Sequence, residues 1–375
     1  MSVDFEKIKE KIKNNDPKLT KLRLNYCGLS KCFGFAITDL LRGNTTLTAL
    51  DLSKNWFGEP GSVAFAIVLK GNTTFTTLKL NSCGLQECFG IAIADLLKSN
   101  TTLTILDVGN NWFGDLGSVA IAVALEENTT LTTLNLSNNN IEEDFSDAIA
   151  NLLGRNTTLT TLNLSDNNLG EVGGVAIAGT LESNTTLTTL DISNNHLGEV
   201  GGVAVVAALE RNTTLTELHL HYNNLEQGFC MAVTGLLERN TTLESLDIGS
   251  NRFGEDGGTA VVGALERNTT LESLDLGGND LGEGFGTAIA GVLKRNTTLT
   301  TLDLRCNDLG EVEGAAVAGA LERNTTLMTL VLYYNDIGEE TLQKIKNLMS
   351  GRTPVKLNLY QGVKAVVPSV PRSVT

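Results

Sequence analysis

The triplet Asn-Thr-Thr recurs eleven times in this chain, at Asn44, Asn72, Asn100, Asn128, Asn156, Asn184, Asn212, Asn240, Asn268, Asn296 and Asn324, always 28 residues apart. Each copy opens one pattern, seen from Asn184 as Leu187-x-x-Leu190-x-Ile192-x-x-Asn195-x-Leu197. A fixed period of this length implies a solenoid, in which one unit stacks on the next and no second core is needed. That constraint outweighs chain length, since 375 residues would otherwise suggest two or three domains.

Each period has two halves. In the first, Leu190 and Ile192 should point inward while Thr189, Asp191 and Ser193 point outward, as on a half-buried strand. The second half, for example Val175 to Glu182, predicts a helix with Ala176 and Leu181 facing the core. Alanine fills the first of these positions in eleven consecutive repeats, Ala36 to Ala316, and leucine fills the second, Leu41 to Leu321. The alanines are expected to let each helix lie close over the strands, with leucine filling the space beneath. Strands stack at about 4.8 Å and helices are roughly 10 Å across, so the stack should curve. The expected fold is an α/β solenoid, a horseshoe with about thirteen parallel strands inside and helices outside. The position opening the helix alternates between Phe33, Phe89, Phe145, Phe229, Phe285 and Gly61, Gly117, Gly173, Gly201, Gly257. Large against small suits an interdigitating core. Gly173 and Gly201 adjoin, and there a change of curvature or a looser contact is expected.

The ends depart from the repeat. Residues 4–14 read as an amphipathic helix with Phe5, Ile8 and Ile12 on one face, an N-terminal cap. The first strand pattern is Leu19-x-x-Leu22-x-Leu24-x-x-Cys27-x-Leu29. After Asn335 a lysine-bearing helix (Leu342, Ile345, Leu348, Met349) precedes a last strand, Val355-Lys-Leu357-Asn-Leu359. Residues 360–375, with Pro368 and Pro371, read as a loose tail. The expected division is residues 1–15 as a capping helix, 16–350 as twelve repeats with the last modified, and 351–375 as a cap strand and tail. Both ends read as capped and the chain as complete.

Several function classes are disfavoured. No run of eighteen apolar residues exists, so no transmembrane helix is expected. The N-terminus alternates charge with apolar residues and lacks a signal-peptide core, which predicts a cytoplasmic protein. The Asn-Thr-Thr triplets match glycosylation sequons. The structural alternative places each asparagine at a helix end, in the left-handed conformation it tolerates. Six cysteines are too few for a disulfide scaffold, and Cys27 and Cys83 stand where other repeats carry asparagine. Formal net charge is −15, with +4 on residues 1–43 and +6 on residues 341–375, leaving −25 on the repeats between. That balance argues against nucleic acid as the main partner and for a partner protein with a basic surface, or else serves solubility alone; no membrane partner is expected. The chain is expected to be a monomer.

The L-x-x-L-x-L-x-x-N-x-L core, the 28-residue period and a full helix per repeat resemble the ribonuclease-inhibitor-type leucine-rich repeats. That class is shared with NOD-like receptors and activators of the Ran GTPase. The resemblance covers residues 16–350. It implies a protein-binding concave face, no enzyme activity and no cofactor. The chain departs from ribonuclease inhibitors in being cysteine-poor, and from NOD-like receptors in lacking room for a nucleotide-binding domain. No Walker-type loop is present, and Gly282-Glu-Gly284-Phe-Gly286 is the repeat's own glycines. The function expected is a non-enzymatic protein-binding scaffold. The alternative is a regulator of a small GTPase or another enzyme by direct binding.

Equivalent outward positions form columns. One reads Arg23, Asp51, Lys79, Asp107, Asn135, Asn163, Asp191, His219, Asp247, Asp275, Asp303, Val331. Its acidic end, Asp247, Asp275 and Asp303, stacks like charges and would be relieved by a basic partner, or by bonds to neighbouring Ser and Thr side chains. A second column places Trp56 and Trp112 two repeats apart, which predicts a slot about 10 Å wide between the indoles. They read as interface anchors or as covers for the neighbouring helix start. His219 and His221 share one face beside Tyr222, and with Asp191 and Asp247 they read as a zinc-binding group or an exposed polar patch; no metal is assigned. Arg305, Tyr333 and Tyr334 form a last cluster, a binding hot spot or the inner edge of the C-terminal cap.

Overall fold

A computed structural model describes residues 5–29, 31–350, 352 and 356–358. The expected tail at 360–375, with Val355 and Leu359, lies outside the described residues, as do the surroundings of Phe5, Phe33 and Gly61. The chain forms two compact units, residues 1–223 and 224–375. In the first, eight three-residue strands run from Lys21–Arg23 to Glu217–His219. Each of the first seven pairs in parallel with the strand 28 residues on, from Lys21↔Ala49 to Thr189↔Glu217. In the second, five strands run from Ser245–Asp247 to Lys356–Asn358 in the same parallel manner. A helix follows each strand but the last, as in Gly170–Leu181 after Thr161–Asn163. The α/β solenoid of 28-residue repeats is therefore present. No described helix is long and apolar enough to cross a membrane.

The leucine column behaves as expected: Leu41 through Leu321 are all buried. The alanine column, Ala148 apart, does not. Ala176 and Ala204 are only half-buried, and the residue after each alanine, Ile177 or Val205, is the fully buried one. The helix is thus rotated so that a β-branched residue faces the strands and the alanine sits to one side. Ser193 is a second departure, since it is buried rather than outward. The strand ends at Asp191 and the chain turns through Asn194 at φ 51°, so the period-2 alternation stops before Ser193.

Two ladders of asparagine join the repeats. Asn167 is buried. Its Nδ2 donates to the carbonyls of Leu136, Leu164 and Ser165, while its Oδ1 accepts from the N–H groups of Asn139 and Ile141. Cys83 occupies this position and donates its Sγ to the Leu52 carbonyl at 3.3 Å, the bond an asparagine would make to the preceding repeat. Cys27, in the first repeat, is exposed instead.

The second ladder is the Asn-Thr-Thr triplet. The asparagines are not left-handed: Asn156 has φ −72° and ψ 133°. Its Oδ1 accepts from the N–H groups of Thr158 and Leu159, and its Nδ2 donates to the carbonyls of Leu125 and Asn128. An extended backbone suffices because the side chain, not a left-handed turn, satisfies the exposed backbone groups. All eleven are buried, so a glycan on Nδ2 is incompatible with this packing. Arg352 continues the ladder past Asn324, its guanidinium donating to the carbonyls of Leu321, Asn324 and Leu327.

Two neighbouring helix pairs come into close backbone contact where glycine meets glycine. A Cβ on Gly174 would lie 2.7 Å from Gly201 Cα, and one on Gly90 would lie 2.8 Å from Gly117 Cα. The Gly173–Gly201 junction is therefore tight, not looser, because the missing side chains are replaced by backbone contact. Elsewhere Phe89, Phe145, Phe229 and Phe285 are wholly buried.

Candidate protein-interaction site

The short strands and the turns that follow them present the residues singled out in the sequence. In the charged column the side chain first serves its own turn. Oδ1 of Asp51, Asp107, Asn135, Asn163, Asp191, Asp247, Asp275 and Asp303 each accepts from the backbone N–H two residues on. A short acceptor at a strand end closes the turn. This bond to the main chain takes the place of the expected bonds to Ser and Thr side chains.

In the second unit Asp247, Asp275 and Asp303 stand in register on adjacent strands. Arg305 reaches back across Gly277 and lays its Nη2 2.5 Å from Asp275 Oδ2 and 2.7 Å from Asp303 Oδ2. A Cβ on Gly277 would stand 2.7 Å from Arg305 Cγ, so glycine there makes the reach possible. Arg305 Nη1 also donates to the Tyr333 hydroxyl at 2.9 Å, and the guanidinium carbon lies 5.7 Å from the Tyr333 ring centre. Tyr333 and Tyr334 meet edge to face at 5.1 Å. Asp303 is only 8% exposed. Burial, then the charge of Asp275, pushes its carboxyl up to about 6 despite Arg305. Asp275 is raised for the same reasons, burial first and Asp247 second. The like charges stacked here thus already have one cation of their own.

In the first unit the expected slot between Trp56 and Trp112 is closed. Their ring centres lie 5.2 Å apart at an interplanar angle of 68°. Strand spacing sets where the backbones stand, but Trp56 leans over Gly84, where a Cβ would come within 2.9 Å of Trp56 Cε3. The pair remains about half exposed, 53% for Trp56 and 47% for Trp112. His219 Nε2 lies 3.0 Å from Glu217 Oε1 on the same strand, and His221 meets Tyr222 edge to face at 5.8 Å. Among the described residues no cluster of three or more His, Cys, Asp or Glu could hold a metal ion.

Sequence reading passed over Tyr26, which is 81% exposed. It shares its phase with Tyr222 and Tyr334, and all three have φ between 54° and 57°. Aligning that column would have found it. The supporting roles of Gly84 and Gly277 are visible only once neighbouring side chains are placed.

The architecture defines a class, the solenoid proteins that present a ladder of short strands to a partner. The family model for leucine-rich repeats matches residues 43–66, 99–122, 127–144, 155–178, 183–206, 211–226, 239–262, 267–284 and 295–312, and the chain belongs to that family. No curated protein matches it. Among solved structures it is similar to an internalin, InlF, from Listeria monocytogenes, at TM-score 0.53 and 19% identity over 94% of this chain and 89% of that one. It is similar also to the yeast Rad7 and Elc1 complex, at TM-score 0.53 and 19% identity over 95% and 94%. At these identities the likeness is one of fold.

Proposed function

We propose that this leucine-rich-repeat protein is a non-enzymatic scaffold that holds a partner protein on its strand face. The partner is basic where it meets Asp247, Asp275 and Asp303. The observation that carries the reading is Arg305, a guanidinium held between two aspartates of that column, which is the contact a partner's arginine would make. The charge of −25 on the repeats supports it by favouring encounter with a positive surface. A full helix in nearly every 28-residue period supports placement in the ribonuclease-inhibitor-type subclass. The division into a capping helix, twelve repeats and a C-terminal strand belongs to the same proposal, as do a monomeric state and a cytoplasmic location. Regulation of a small GTPase would use the same face, and the hydrolysis rate of a captured GTPase separates the two: unchanged for a scaffold, changed for a regulator.

The test starts from a partner captured with the full chain. Asp247→Asn, with its acceptor for the Gly249 N–H retained, should slow association and lose its effect at high salt. If Glu210 or Arg239 variants on the helices weaken binding while Asp247→Asn leaves it intact, the strand-face reading is wrong.

A further inference from the structure

We propose that the C-terminal ends of the helices Gly282–Leu293, Glu311–Leu321 and Glu339–Met349 form a second interaction surface, which binds a short acidic segment of a partner protein. The observation behind it is one irregular rung in a regular ladder. Arg155, Arg211, Arg267 and Arg295 each stand at or just past a helix end. Each pairs with the glutamate 29 residues earlier, Glu126, Glu182, Glu238 or Glu266. Arg323 occupies the same place, but the residue 29 positions before it is Lys294. Both side chains are exposed, and among the described residues neither is ion-paired to a carboxylate. Two like charges therefore face each other at this rung, a small cost to stability that an anion lying between them removes.

The surroundings keep the positive sign. Arg352 donates to the carbonyls of Leu321 and Asn324 at the end of the helix Glu311–Leu321. It thereby covers part of the negative pole that would repel an anion there. Burial pulls its guanidinium below the usual value, and no carboxylate offsets that shift. Glu322 is taken by Lys344, whose ammonium lies 2.8 Å away and holds the carboxyl below its usual range. The adjoining rung, Arg295 with Glu266, is neutral. Glu283, Glu311, Glu313, Glu339 and Glu340 stand in the first turns, at the opposite ends of these helices. Lys294, Arg323, Lys344 and Arg352 are thus set against Glu322, in a chain of net charge −15. Packed helices lie about 8–10 Å apart, a distance that about three residues of extended chain span. An acidic side chain at every third position meets each helix end in turn, whereas a long nucleic acid or a membrane would also face the −25 of the repeats. The proposal rests on the protein-binding reading but shares no residue with the acidic column, so the two fail separately.

The full chain is titrated at low salt with a blocked Glu-Ser-Ser repeat peptide carrying an uncharged dye, and binding is read by fluorescence anisotropy. The comparison probes are the Lys-Ser-Ser and Gln-Ser-Ser peptides and an oligothymidylate of matching length. The expected result is saturable binding of the Glu-Ser-Ser peptide and at least about tenfold weaker binding of the other three. Lys294→Glu rebuilds the rung that the other repeats carry, so it should keep the wild-type far-UV spectrum and melting temperature. It should nevertheless weaken the Glu-Ser-Ser peptide at least about tenfold, and Arg323→Gln should weaken it too. Arg211→Gln, at a regular rung, should leave the titration as it is. No binding of the Glu-Ser-Ser peptide overturns the proposal, as does unchanged binding by the Lys294→Glu protein. Equal or tighter binding of the Lys-Ser-Ser peptide, the Gln-Ser-Ser peptide or the oligothymidylate overturns it as well.

Discussion

Gly174 and Gly179 lie in one helix, Gly170–Leu181, and the same substitution at each should move stability in opposite directions. A Cβ at Gly174 would stand 2.7 Å from Gly201 Cα and 3.1 Å from its carbonyl carbon, whereas nothing lies within 4 Å of one at Gly179. Carbon atoms rest at about 3.5–4.0 Å, so Gly174→Ala must push the neighbouring backbone away by most of an ångström. Glycine to alanine in a helix gains about 0.5–1 kcal/mol from propensity, and Gly179→Ala should realise that gain. At Gly174 the overpacking cost of about 1–3 kcal/mol offsets the gain and leaves a net loss of up to about 2 kcal/mol. The difference between the two variants, about 1–3 kcal/mol, contains no propensity contribution, because both carry it. Urea unfolding followed by circular dichroism, and by the emission of the two tryptophans in the same unit, measures it. If Gly174→Ala unfolds at or above the wild-type midpoint with an unchanged denaturant slope, the close approach of these helices is not the constraint argued here.

Other perturbations test other links. Asp303 titrates near 6 in the fold against 3.8 unfolded, so its contribution to stability is fully present below about pH 4 and lost as pH rises through 6. Asp303→Asn should therefore gain about 1–3 kcal/mol at pH 7 and flatten the pH dependence between these values; an unchanged profile in thermal melts refutes this. Asn167→Ala strands several backbone groups that its side chain now satisfies and should cost about 2–4 kcal/mol in urea melts. Stoichiometric zinc should not raise the melting temperature relative to chelator, and a rise abolished by His219→Ala would show that the histidines do bind it. Trp112→Ala should mainly speed dissociation of a captured partner, by about 2 kcal/mol or more if the indole anchors it, as surface plasmon resonance would resolve.

How far the sequence could be read depended on whether a property repeats or relies on a neighbour's shape. Strand order, register and the leucine column follow from the 28-residue phase, because identical residues stack on identical residues. The rotation of the helix did not follow. Ala176 and Ile177 are adjacent columns, and periodicity alone does not say which faces the strands. The Trp56–Trp112 distance was misjudged because backbone spacing ignores a side chain leaning across Gly84. The acidic column was legible as a run of charges, but Arg305 comes from a different column and its reach across Gly277 is a matter of side-chain length and a missing Cβ. The asparagines were rightly assigned a structural role at the helix end, yet the backbone geometry expected there was wrong, since their side chains satisfy the groups a left-handed turn would have served.

The asparagine ladders also bear on how a gene for such a chain can change. Their bonds between repeats run between residues separated by 26, 28 or 31 positions, as at Asn167 and Asn156. Removing or duplicating 28 codons brings equivalent donors and acceptors into the same offsets, whereas removing 27 or 29 misplaces the ladder bonds that bridge the junction. Only a change in whole repeats therefore leaves every one of these bonds in place. The deleted repeat is not arbitrary either: loss of residues 184–211 would put Phe229 one period after Gly173 and remove the single break in the alternation of large and small residues. The present chain, with Gly173 followed by Gly201, has the arrangement left when one repeat is copied in place.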